Sequence, residues 1–136
     1  MEKKKVKAII GRSKTGFSIM MEGFDLAISY GDTLEEAKRD FEQFPQEYIA
    51  VSQETGRTIP SELNEGNLEF EYVYDLSGFF AYYDFISPTK IARRIGLNTS
   101  LMRQYAAGNT YISVSKKKQI ENELHNIGKE LLSVTL

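Results

Sequence analysis

Residues 88–108, PTKIARRIGLNTSLMRQYAAG, constrain the fold more than any other stretch of this chain. Their pattern is that of two short helices joined by a glycine turn. Ser87 can cap the first helix, and Pro88 suits its first turn, where a missing N–H costs nothing. Ile91, Ala92 and Ile95 fall on one face at helical spacing. Gly96 stands where the chain must turn sharply and a positive φ is needed. Leu97 plugs the corner. Asn98, Thr99 or Ser100 can cap the second helix, whose Leu101, Met102 and Tyr105 face back inward. Ala92 is small where the two helices would cross, so their backbones can approach. These features together predict a helix-turn-helix, a motif whose second helix enters the major groove of DNA.

The polar residues fit that expectation. With the inward face subtracted, Thr99, Ser100, Arg103 and Gln104 remain on the outer side of the second helix. Arginine pairs bidentately with guanine and glutamine with adenine, while serine and threonine reach phosphates or bases. Lys90, Arg93 and Arg94 lie on the first helix, near where a DNA backbone would cross. The expected DNA-contacting set is Thr99, Ser100, Arg103 and Gln104 at the bases, with Lys90, Arg94 and Asn109 at phosphates. An ordinary helical hairpin with a solvated polar face shares the bare spacing. It does not account for the caps, the small residue, the glycine and the basic outer face occurring together.

Net charge is divided along the chain. Residues 1–75 hold 9 lysines and arginines against 15 aspartates and glutamates, a net −6, whereas residues 76–136 hold 8 against 4, a net +4. A basic carboxyl-terminal part carrying a helix-turn-helix pattern is the electrostatic footprint of nucleic-acid binding. An acidic amino-terminal part repels phosphate and suits a basic protein partner. The expected domains are therefore 1–75 for protein binding and 76–136 for DNA binding. Cysteine is absent and there is a single histidine, so disulfides and thiolate or multi-histidine metal sites are excluded. That usage fits a reducing cytosol. No apolar run is long enough for a membrane span, and Val6–Ile10 is too short for a signal-peptide core. The expected protein is cytoplasmic.

In the amino-terminal part, Val6–Ile10 and Phe17–Met21 are apolar, β-prone runs separated by a polar turn, and they predict a hairpin. Leu26, Ile28 and Tyr30 alternate with Ala27 and Ser29 as a third strand. Thr33 then opens a helix with Glu36 three residues on, a capping box. Leu34, Ala37, Phe41, Phe44, Tyr48 and Val51 form its buried stripe. Pro45 predicts a kink, and Gly56 ends the helix. Ile59–Asn67 reads as a loop and Leu68–Tyr74 as a fourth strand. The order β-β-β-α-β is a helix on a small sheet, an α+β arrangement.

These residues resemble the HicB family of toxin–antitoxin proteins. The resemblance rests on Gly16-Phe17-Ser18-Ile19, on Asp25-Leu26, and above all on Tyr30-Gly31-Asp32-Thr33-Leu34-Glu35-Glu36-Ala37. It implies a cut-down RNase H-like sheet that binds and neutralises a small, basic RNA-cleaving toxin (HicA-like), in a protein that represses its own operon. The family usually carries a proline- and cysteine-containing segment before the third strand. Here Glu22–Ile28 has neither. A stand-alone transcriptional regulator, whose amino domain only dimerises or senses a ligand, would share the remaining features.

Towards the end of the chain, Asp75 can cap a helix through Leu76, Phe79, Phe80 and Tyr83, and Ser113 or Ser115 can start a last helix striped by Ile120, Leu124, Ile127 and Leu131. Four helices with the turn between the second and third resemble the lambda-repressor-like group. Repressors of that kind act as two-fold dimers on half-sites about one helical turn apart. A domain of about sixty residues is marginal alone, which also favours a homodimer or a higher oligomer. Leu132, Val134 and Leu136 can either close the core or build that interface.

Lys116-Lys117-Lys118 reads as a solvated face, and His125 as a surface residue. For catalysis, Asp25, Asp32 and Glu36 form the one plausible carboxylate cluster, and capping already explains Glu36. No nucleophile–base pair, phosphate-binding glycine loop or cofactor motif is recognisable. The expectation is a binding protein, not an enzyme, with no cofactor or metal.

Overall fold

The computed structural model describes residues 4–59 and 68–136. It is α+β, with a four-stranded mixed sheet and five helices, and it divides into two compact units, Met1–Phe79 and Phe80–Leu136.

The first unit follows the strand pattern of its sequence. Strands β1 (Lys4–Arg12), β2 (Phe17–Met21) and β3 (Phe24–Gly31) precede helix α1 (Leu34–Thr55), and β4 (Leu68–Tyr74) follows it. The sheet order is β3-β2-β1-β4, antiparallel except for the parallel β1–β4 pair. Alternation along the strands turns Ala8, Ile10, Ile19, Met21 and Ala27 to one face, where α1 covers them with Leu34, Ala37 and Phe41. Alanines at 8, 27 and 37 keep helix and sheet close, and the buried Ser29 hydroxyl donates to the Ala37 carbonyl at 2.8 Å. Phe41 is fully buried against Phe70, with ring centroids 4.7 Å apart.

The turn into α1 explains the Tyr30–Ala37 string. The Glu36 N–H donates to the Thr33 hydroxyl at 3.2 Å, and the Glu36 carboxylate accepts from the Asp32 N–H at 3.1 Å. The capping box is present, its return bond reaching one residue before the cap. Here glycine is required for space. A Cβ on Gly31 would collide with the Ala37 N–H, and one on Gly16 with the Gly31 carbonyl. Helix α1 runs on through Pro45 to Gly56, which caps it in the left-handed conformation at φ 71°. Of the expected 59–67 loop, residues 60–67 lie outside the described residues.

Helix α2 (Leu76–Tyr82) starts where β4 ends. The Asp75 carboxylate caps it, accepting from the Gly78 N–H at 2.8 Å and the Ser77 hydroxyl at 2.6 Å. Ser77 in turn accepts from the Arg12 N–H at 3.0 Å, which ties this first turn to the end of β1. The boundary between the compact units falls between Phe79 and Phe80, inside α2.

The second unit is helical: α3 (Pro88–Ile95), α4 (Thr99–Ala107) and α5 (Val114–Leu132) follow the end of α2. Helix α3 packs against both α4 and α5. Ile91, Ala92, Met102, Tyr105, Ile120 and Phe80 are its buried apolar residues. The α5 stripe thins along its length: Ile120 is buried, Leu124 and Ile127 are half-buried, and Leu131 is 67% exposed. Leu132, Val134 and Leu136 are exposed as well, so they do not close the core. No helix among the described residues is long and apolar enough to cross a membrane.

Candidate nucleic-acid interface

The α3–α4 connection is set by caps at each of its corners. Ser87 accepts from the Lys90 N–H at 3.3 Å, with Pro88 in the first turn. Gly96 ends α3 at φ 73°, where only glycine is unstrained, and the Leu97 N–H returns to the Ala92 carbonyl at 2.9 Å. Of the three possible caps for α4, Asn98 fills the role, its side chain accepting from the Leu101 N–H at 2.9 Å. Ala92 is completely buried, as its place against α4 and α5 demands. Met102 and Tyr105 hold α4 to the core, while Leu97 and Leu101 are half-buried.

What remains of α4 faces water. Ser100, Arg103 and Gln104 are exposed, and Thr99 is half-buried at the helix start. The Arg103 guanidinium donates to the Ser100 hydroxyl at 3.2 Å, so these two side chains lie together along one turn. Gly108 caps α4 in the left-handed conformation, and the Asn109 N–H donates to the Gln104 carbonyl at 3.0 Å. Asn109 is thus placed, exposed, at the end of the same surface. Lys90 and Arg93 are exposed on α3.

Arg94 is placed differently from its expected role at a phosphate. Its guanidinium donates to Glu123 at 2.9 Å and to Glu130 at 3.2 Å, both on α5. The hydrogen bond to Glu123 and the charge of Glu130 raise its already high pKa further. Arg94 lines an open cleft with Glu123, Asn126, Lys129 and Glu130. It clamps α3 to α5, and a phosphate at that position would have to compete with two carboxylates. The sequence carried no local signal for this, because the partners are 29 and 36 residues away.

Two further residues escape the sequence pattern. The Thr110 hydroxyl donates to the Gln104 side-chain carbonyl at 3.0 Å, and Tyr111, next in the chain, is 84% exposed. Only the left-handed turn at Gly108 brings Thr110 back to α4. Near the start of α5, whose cap is Ser113, Lys118 pairs with Glu121 at 3.0 Å and Lys117 is exposed. Gln119 donates to the Ile95 carbonyl at 3.2 Å, satisfying an orphan acceptor at the end of α3. His125 is exposed.

As for chemistry elsewhere, Glu36 is occupied in the α1 cap, and the Asp25 side chain lies outside the described residues. Among the described residues no three His, Cys, Asp or Glu side chains converge to hold a metal ion. No protein-family model, curated protein or solved structure matches the chain.

Proposed function

We propose that this chain is the antitoxin of a type II toxin–antitoxin module, binding a small basic RNA-cleaving toxin and repressing its own operon through sequence-specific DNA binding. The observation that carries the DNA half is the exposed α4 face. Ser100, Arg103, Gln104 and Asn109 are all accessible on one short helix and its final turn, in a helix–glycine–helix arrangement with a cap at each end. Those side chains are the types that reach base edges and phosphates, and the region from residue 76 onward carries a net +4. Lys90 and Arg93, exposed on α3, suit the flanking backbone. Arg94, taken up by α5, is left out of the contact set.

The toxin half rests on the HicB-like string from Tyr30 to Ala37 and on the net −6 of residues 1–75. Acidic residues in the first turn of α1, Glu35 and Glu36, stand exposed beside the cap. A stand-alone regulator is the second reading, favoured by the absence of proline and cysteine from Glu22–Ile28. In either case the protein acts as a dimer, and the exposed Leu131, Leu132, Val134 and Leu136 offer apolar surface for it.

A reporter fused to the region upstream of this gene tests the proposal. The full chain supplied in trans represses it, and Arg103→Ala relieves repression. A reporter indifferent to the chain overturns the DNA half. Rescue of growth when a neighbouring small basic protein is expressed separates the antitoxin from the stand-alone regulator.

A further inference from the structure

We infer that the sheet face turned away from α1 is a self-association surface, covered by a second copy of this chain across a two-fold axis that runs along the strands between β1 and β2. This contact is separate from the apolar end of α5 and does not rest on either proposed partner.

The register of the sheet puts four apolar side chains on one rung. Met20 pairs with Ile28 on β3 and with Ile9 on β1, and Ile9 pairs with Val73 on β4. Their strand neighbours Ala8, Ile10 and Ile19 point to α1, so alternation sends this rung to the opposite face. Met20 and Ile28 are exposed, and Ile9 and Val73 are half-buried. Tyr30, 64% exposed, borders the row on the next rung of that face. A sheet face that meets only water carries polar residues at such positions. Here an apolar band crosses all four strands, about 15 Å from edge to edge at the usual strand spacing.

The charges beside the band point to the occupant. One rung along, Lys7 stands between Glu71 of β4 and Glu22, whose N–H donates to the Lys7 carbonyl at 2.9 Å. Lys5 and Glu69 pair on the rung after that, and all five side chains are exposed. Two lysines against three glutamates leave this face near neutral, without the acidic surplus that attracts a basic protein. Among the described residues the ion pairs belong to Arg94 and Lys118, so Lys7 and Glu22 keep their charges for another chain. A two-fold contact must be its own complement. With the axis along the strands between β1 and β2, β1 lies over β2 of the second copy and β4 over its β3. Ile9 then meets Met20, Val73 meets Ile28 and Lys7 meets Glu22, each contact occurring twice. A four-stranded face is small beside a standard interface of roughly 1,600 Å², so the pair should come apart on dilution.

The weight-average mass of the full-length protein, measured by sedimentation equilibrium across a dilution series from about 1 mM, tests this. Each variant is checked for folding by circular dichroism. The unmodified chain should gain mass with concentration. M20K and I28K, which put a charge into the band, should reach about half its mass at the top of the series, because the contact joins chains in pairs. K7E and E22K should each lose mass as well, since each sets like charges face to face. An equimolar mixture of K7E and E22K should regain it, because the acid of one variant then meets the base of the other in both contacts. If M20K or I28K fails to fold, the charge variants decide alone. A mass that does not rise with concentration overturns the inference. So do M20K and I28K masses equal to that of the unmodified chain, or a K7E and E22K mixture no heavier than its components. None of these results bears on DNA or toxin binding.

Discussion

At Gly31 a single hydrogen atom in place of a methyl group decides whether β3 can pass under the start of α1. A Cβ there would meet the Ala37 N–H and lie 2.9 Å from the Thr33 carbonyl, both of them backbone groups that cannot swing aside. Gly31→Ala should therefore destabilise the protein by about 1–3 kcal/mol, as overpacking does, measured by urea unfolding. A change within experimental error would mean that the α1 cap has slack. Tyr72 offers a different single-residue test. Burial first, and then the Glu42 carboxylate that accepts from its hydroxyl at 2.8 Å, raise its pKa above the ordinary tyrosine value of 10.0. Below that value Tyr72 is protonated in both folded and unfolded chains, so the contribution is constant. Above it the unfolded chain loses the proton while the folded one keeps it, so stability falls. Tyr72→Phe should flatten this decline above about pH 10 relative to the unmodified protein. Identical pH profiles would show that the hydroxyl is not held as described. At the interface, Arg103→Ala should weaken binding to specific DNA by about 1–3 kcal/mol if Arg103 reads a base, measured by titration with the fold intact.

At the scale of elements, what the sequence reveals depends on how local the physics is. Alternation and the Thr33–Glu36 pairing determine β1, β2, β3 and α1 within a few residues of themselves, and these elements stand where the pattern puts them. The caps Ser87, Gly96 and Gly108 are equally local. The placement of β4 beside β1 is not, because no residue in Leu68–Tyr74 names its partner strand. The same holds for Arg94. Its place on α3 suggests a phosphate contact, and only the packing of α5 reveals Glu123 and Glu130. The Gln104 partner, Thr110, depends on a left-handed turn whose glycine is visible in the sequence but whose direction of return is not. Asn98, with one cap bond to Leu101, gives the element-scale prediction. Asn98→Ala should cost about 0.5–2 kcal/mol by thermal or urea unfolding, and Asn98→Asp should retain most of it. An equal loss in both variants would place the effect somewhere other than the cap.

For the whole molecule, charge and architecture change together along the chain. The acidic stretch, 1–75, contains every strand of the sheet, and the basic one, 76–136, is helical. The first carries net −6 and the second net +4, and the proposed basic-protein and DNA partners rest in part on that division.

The most direct test of the account is a salt-dependent binding titration of the full-length protein, comparing DNA from upstream of its own gene with scrambled DNA of the same length and composition. The account predicts tight binding to the upstream DNA alone. The logarithm of its affinity should fall linearly with the logarithm of salt, by roughly 0.9 for each phosphate neutralised. Equally weak binding to both DNAs would contradict it and leave the exposed face of α4 without the partner proposed for it.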